Sequence, residues 1–148
     1  MKTIMVKLYH YTNRSNLESI FTEGLIPKSQ YESFSNLREN VVYCWLSPDD
    51  QKIFSDDDIC LEICVSEERC TIAEMDYISF AMMYKYGGAK YGGKNIPVNS
   101  EAAELFIKLY EVTSALILNC EKDNYFTPEV LVKGKIEPEN ITIYDINP

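Results

Sequence analysis

Polar and apolar residues alternate from Met1 to Leu8, and the run continues through Tyr11, which predicts a first strand over Ile4 to Tyr11. The period then changes. Leu17, Ile20 and Phe21 form an i, i+3, i+4 apolar edge, predicting a short helix. Ser15-Asn16-Leu17-Glu18 matches a capping box before it, and Gly24 fits the C′ position behind it. Pro27 to Asn40 is polar and rich in serine, carries Tyr31 and Phe34, and has no period; it reads as a mobile loop. Val41 to Leu46 is a compact β-type run, which Ser47-Pro48-Asp49-Asp50 turns into another short helical piece. An acidic turn from Ser55 to Asp58 leads to a strand over Ile59 to Val65.

Helical spacing returns from Met75 to Tyr86, with Ile78, Met82 and Met83, or Phe80 and Tyr84, as alternative inner faces. It breaks at a tandem Lys-Tyr-Gly-Gly (Lys85 to Gly88, Lys90 to Gly93), whose glycine density suits an exposed flexible segment. That segment could grip a phosphate or a partner, or serve only as a connector. Ser100 is placed to cap a helix from Glu101 to about Glu111, with Leu105, Phe106, Leu109 and Tyr110 on its apolar side. Strands are predicted over Ser114 to Cys120, Glu129 to Ile136 and Ile141 to Ile146, with a turn at Glu121 to Tyr125. Six or seven short strands with helices in irregular order predict an α+β fold with a mainly antiparallel sheet. No domain boundary shows, so residues 1–148 read as a single domain.

Composition narrows the function classes. With 46% hydrophobic and 25% charged residues, the 148-residue chain can bury a real core. Asp and Glu outnumber Lys and Arg by 23 to 14, a net charge of −9, which disfavours nucleic acid as a partner. No run is long enough to span a bilayer and no signal peptide opens the chain, so a cytoplasmic protein with no membrane role is expected. The five cysteines then read as reduced thiols. Cys60 and Cys64 fall on the strand face opposite Ile59, Leu61, Ile63 and Val65, and without paired knuckles no metal site is expected.

His10 is the only histidine, so any Ser/His/Asp or Cys/His mechanism would have to run through it. No nucleophile elbow accompanies it, and neither a P-loop nor a dinucleotide glycine fingerprint is present. A lone histidine in a strand is usually structural; here a polar anchor for a ligand is the functional alternative. Glu129 heads a strand behind Pro128. A rigid carboxylate there could bond a ribose hydroxyl and favour positive charge developing at an anomeric carbon. For an arbitrary glutamate, a surface position on an edge strand is the ordinary reading.

The stretch LYHYTNRSNLESIFTEGLIPKS resembles the first motif of ADP-ribosyltransferase-fold proteins, a strand ending His-x-Thr followed by a helix closed by Gly-Leu. VVYCWLSP is similar to their second motif, and TPEVLVKGKIEPENITIYD to their third, with a glutamate at the head of a strand. The closest flavours are the DNA-modifying ADP-ribosyltransferase toxins and the His-Tyr-Glu branch shared with poly(ADP-ribose) polymerases. The resemblance implies split antiparallel β-sheets with short flanking helices.

It also implies NAD as co-substrate. His10 would bond the adenosine ribose, the backbone around Tyr11 and Thr12 would hold the nicotinamide amide, and Tyr43 would stack on the nicotinamide ring. Trp45 and Ser47 are alternatives to Tyr43, since alternation puts all three on one face. Asn16 and Arg38 would contact NAD, and Glu129 would be the catalytic carboxylate. The implied activity is mono-ADP-ribosyl transfer to a macromolecular acceptor, protein rather than nucleic acid, or NAD glycohydrolysis if water is the acceptor. By analogy, such a small acidic domain suits a bacterial or phage conflict setting. A non-catalytic nucleotide- or protein-binding module of the same fold is the alternative, and an acidic inhibitor of a basic macromolecular surface is a third. The catalytic expectation requires His10 and Glu129 to meet across one cleft wide enough for a dinucleotide.

Overall fold

The opening apolar run folds as strand β1 (Met5–Thr12), near the middle of the sheet. The computed structural model describes residues 3–28, 32–49, 57–88, 90–91, 94–119 and 122–146. Along them follow α1 (Leu17–Glu23), β2 (Val41–Trp45), β3 (Ile59–Ser66), β4 (Cys70–Glu74), α2 (Met75–Tyr86), β5 (Lys90–Tyr91) and β6 (Lys94–Asn95). The remaining elements are α3 (Ser100–Thr113), β7 (Ala115–Leu116), β8 (Pro128–Lys133) and β9 (Ile141–Ile146). Seven strands form one antiparallel sheet in the order β7-β4-β8-β2-β1-β3-β9, while β5 and β6 pair as a separate hairpin. The class is α+β, with three short helices beside an antiparallel sheet.

Register is uneven across this sheet. β1 runs against β3 from Met5 opposite Ser66 to Thr12 opposite Ile59, and β2 against β8 from Val41 opposite Lys133 to Trp45 opposite Glu129. Between β1 and β2 only Tyr9 and Trp45 register. The sheet is therefore continuous but thin at this seam.

Side-chain alternation gives the sheet two buried faces. Leu8, Val42, Cys44, Leu61, Ile63, Val130 and Val132 join Ile20 of α1, Leu25 and Ile136 in the larger core. Val41, Ala73 and Leu131 point the other way and pack with Ile78 of α2 and Tyr110 of α3. Gly24 ends α1 at φ +89, and a Cβ there would stand 2.2 Å from the Ile136 carbonyl oxygen. Glycine is required both by conformation and by space.

Local details depart from the sequence expectations where caps and short strands compete. The Ser15 capping box does not form: Asn13 caps a 3-10 turn over Arg14–Asn16, and α1 begins behind Asn16 without a side-chain cap. Asn99, not Ser100, caps α3, accepting from the Ala102 N–H. β4 was not anticipated, because Cys70-Thr71-Ile72-Ala73-Glu74 passes straight into α2 with no turn residue between them. The predicted strand over Ser114 to Cys120 is reduced to β7 and a 3-10 turn at Ile117–Asn119, and Cys120 lies outside the described residues. β8 stops at Lys133, leaving Ile136 to bridge Leu25. In α2 the buried side chains are Ile78 and Ala81, while Phe80 and Met82 are exposed. The first Lys-Tyr-Gly-Gly ends α2, with Gly87 at φ +66, and the second contributes Lys90 and Tyr91 to the hairpin. Its Gly92 and Gly93, like Asp50 and Ser55 to Asp56 of the predicted turns, lie outside the described residues.

Candidate functional site

Glu129 is not at the surface. It sits in a lateral row, Tyr9–Trp45–Glu129–Ala73, that crosses β1, β2, β8 and β4 on the face under α2 and α3. The start of β8 is fixed from below by Glu74, whose carboxylate accepts from the Phe126 and Thr127 N–H groups at 2.6 and 2.8 Å. Glu129 itself is only 2% exposed. Arg38 meets it with two parallel bonds, Nε to Oε2 at 3.1 Å and Nη2 to Oε1 at 3.3 Å. Tyr110 of α3 donates its hydroxyl to Oε2 at 2.5 Å.

This arrangement satisfies a buried carboxylate with charge-assisted bonds, which burial otherwise makes costly. Burial works against the Arg38 charge, but Glu129 together with Tyr110 and Tyr43 more than offsets it, and the guanidinium pKa lies above its ordinary value. Burial and then the Glu129 charge push the Tyr110 phenol well up, so it remains a donor. Sequence patterning placed Tyr110 on an apolar helix edge. The available signal was chemical: a buried tyrosine hydroxyl needs a partner.

Arg38 is delivered by a 3-10 turn over Asn36–Arg38, capped where Ser35 Oγ accepts from the Leu37 N–H at 3.2 Å. The guanidinium lies 5.1 Å above the Tyr43 ring, whose hydroxyl donates to the Arg38 carbonyl at 2.5 Å. From residue 32 onward the part of Pro27 to Asn40 is thus bonded at several points to its surroundings, contacts that a polar stretch without a period does not announce; Tyr31 lies outside the described residues.

His10 belongs to the opposite face. By register it shares its side with Leu8 and Leu61, whereas Tyr9 shares the side of Trp45 and Glu129. Its Nδ1–H donates to the Tyr43 carbonyl at 2.7 Å, where the β1–β2 ladder has already ended. Burial lowers its pKa, although the bond to Tyr43 acts in the other direction, and the neutral ring keeps Nε2 as an acceptor. Beside it, Asn16 Nδ2 donates to Thr12 Oγ1 at 3.2 Å. His10, Thr12, Asn16, Ser19, Glu23 and Lys28 line a groove between α1 and the seam, of about 220 Å³. That is below the usual range for a whole drug-sized ligand.

The sequence candidates therefore fall into two groups. His10, Thr12 and Asn16 share the groove, and Arg38 and Glu129 share the buried pair. Tyr43 touches both, its carbonyl on His10 and its ring under Arg38, so it does not offer the ring to the groove as expected. Tyr11 is 4% exposed and donates to the Pro48 carbonyl. Trp45 is buried in the Glu129 row, and Ser47 accepts from the Asp49 N–H in the turn after β2, so neither reaches the groove. The expectation that His10 and Glu129 face each other across one cleft is not met: they occupy opposite sides of the sheet, with packed side chains around the carboxylate. Among the described residues no group of three or more His, Cys, Asp or Glu could hold a metal, and no helix is long and apolar enough to cross a membrane. Compared with known protein families, characterised proteins and solved structures, the chain matches none of them.

Proposed function

We propose that the chain is a non-catalytic ADP-ribosyltransferase-like module that binds a nucleotide fragment in the groove formed by His10, Thr12 and Asn16, because His10 and Glu129 stand on opposite faces of the sheet and do not share the cleft that catalysis requires. The observation that carries this reading is the enclosure of Glu129, which is 2% exposed and paired with Arg38 on the face away from His10. Arg38 and Glu129 were both singled out by resemblance to one family's motifs, they stand 91 positions apart, and they are in direct buried contact. The sheet departs from the split sheets expected of that family: seven strands form one continuous antiparallel sheet, and only the β5–β6 hairpin stands apart.

A catalytic version takes NAD as co-substrate and passes ADP-ribose to a macromolecular acceptor, with protein favoured over nucleic acid by the charge of −9. It needs NAD to reach Glu129 from the α2–α3 side of the sheet and not from the His10 groove. In that version Glu129 supplies the negative charge that favours departure of nicotinamide from its ribose, and it orients a ribose hydroxyl as acceptor. The acceptor nucleophile, or water, then takes the anomeric carbon and gives up its proton. The resting geometry is not the reactive one, because Glu129 must first be freed from Arg38 and Tyr110 to meet a sugar.

The test of that version is nicotinamide release from NAD, with and without a protein acceptor, for the intact chain and for Glu129→Gln. Removing a carboxylate that stabilises developing charge is expected to cost about 10²-fold or more, roughly 3 kcal/mol. Release that is equal in both proteins, or absent from the intact one, overturns the catalytic assignment.

The binding reading has a test of its own, set by the enclosed Glu129 carboxylate facing away from His10. The non-catalytic module keeps the Arg38–Glu129 pair as architecture and binds a nucleotide fragment in the His10 groove. NAD binding lost in His10→Ala but retained in Glu129→Gln, with no nicotinamide released by either protein, would establish this version.

A further inference from the structure

The enclosure of Glu129 depends on a short segment of which the readings above use Arg38 alone. Residues 32–38 lie against the α2–α3 layer and are fastened along their length. Glu32 takes both Lys85 and Tyr86 at the end of α2. Lys85 Nζ also stands 5.5 Å from the centre of the Phe34 ring. Ser35 donates its hydroxyl to the Glu111 carboxylate of α3 at 2.8 Å. Phe34 and Leu37 pack on the second core, and Arg38 then closes on Glu129.

Two features mark this segment as able to move as a unit. Phe34 holds φ at +68, an unfavourable backbone for a bulky residue, which persists only while its neighbours enforce it. The outermost fastenings are also exposed: the Lys85 and Glu32 side chains are 49% and 24% accessible, so salt and water compete for them. Exposed ends and a strained centre favour opening, while the buried ion pair at Arg38 resists it.

We propose that residues 32–38 are a strap that closes Glu129 in the resting protein, and that lifting the strap is the step that gives the carboxylate to a ligand. This rests on the catalytic reading for its purpose, though not for its geometry. Lifting carries Arg38 away with the strap, so both charges pass into water, or onto a polar ligand, rather than one remaining buried alone. Tyr110 stays behind on α3 and can still donate to Glu129.

The test separates the strap from the chemistry. Wild type and the Glu32→Ala, Glu111→Ala double variant are treated with a water-soluble carbodiimide and glycinamide, and amide formation at Glu129 is read by mass spectrometry. Backbone amide exchange over 33–38 is followed in parallel, with circular dichroism confirming the fold. Losing side-chain bonds of this kind shifts a local opening by about tenfold, so Glu129 labelling and strap exchange should both rise about tenfold. Faster strap exchange with unchanged Glu129 labelling overturns the proposal, and so does unchanged strap exchange. Nicotinamide release is measured on the same proteins. Faster labelling without turnover by either protein retires the catalytic reading and leaves the strap standing.

Discussion

Arg38 and Glu129 meet in a bidentate pair at 3.1 and 3.3 Å, joining a 3-10 turn early in the chain to a strand near its end. Neither side chain has an inexpensive alternative. Arg38 is 7% exposed and Glu129 2%, so truncating one strands the other.

Arg38→Ala should therefore destabilise the protein by about 3–5 kcal/mol in urea unfolding. Replacing the whole network by apolar groups (Arg38→Met, Glu129→Leu and Tyr110→Phe together) should cost less than that single change, since no buried charge is left unpaired. A triple variant less stable than Arg38→Ala would show that the pair contributes net stability beyond its desolvation cost.

His10 should titrate below the ordinary 6.5, because burial favours its neutral form. Its contribution to stability is then fully present above about pH 6.5 and is lost as the pH falls from there through the folded value. One imidazole per chain makes both effects readable: NMR should give a depressed pKa with the proton on Nδ1, and His10→Gln should flatten this part of the stability profile. A folded pKa at or above 6.5 would contradict the burial.

Gly24→Ala should be severe for so small a change. The new Cβ meets the Ile136 carbonyl at 2.2 Å with φ at +89, and strain of this kind costs about 1–3 kcal/mol before any clash is added. Thermal unfolding of this variant beside Gly88→Ala separates space from conformation, since Gly88 also has positive φ but open space around it. Equal losses would mean that the Ile136 contact is relieved by a small shift.

At α3, Asn99→Ala should cost about 1 kcal/mol, whereas Ser100→Ala, inside the first turn, should cost little. Paired thermal melts decide between the two residues as cap.

Hydrophobic period carried most of the fold. β1, β2, β3, β9 and α2 lie within a residue or two of their expected places, although α2 offered two inner faces and buries Ile78 with Ala81. β4 was hidden because Thr71 and Ala73 dilute its alternation and a helix follows without punctuation. The site was legible as a set of residues and not as an arrangement. Resemblance singled out His10 and Glu129 alike, but only pairing register shows which face each occupies. Arg38 drew attention by its motif, yet nothing local in a polar, serine-rich stretch announces that residues 33–38 are tied to a helix near residue 111.

The single registered pair at Tyr9 and Trp45 makes the middle of this sheet weaker than its flanks. Sheets ordinarily fray from their outer strands inward, whereas here the fewest ladder pairs lie inside, where the bond from His10 to the Tyr43 carbonyl adds a side-chain tie. Tyr9 and Trp45 belong to the row that runs through Glu129, and His10 lies beside the same seam on the other face, so a change along that one line is felt on both sides of the sheet.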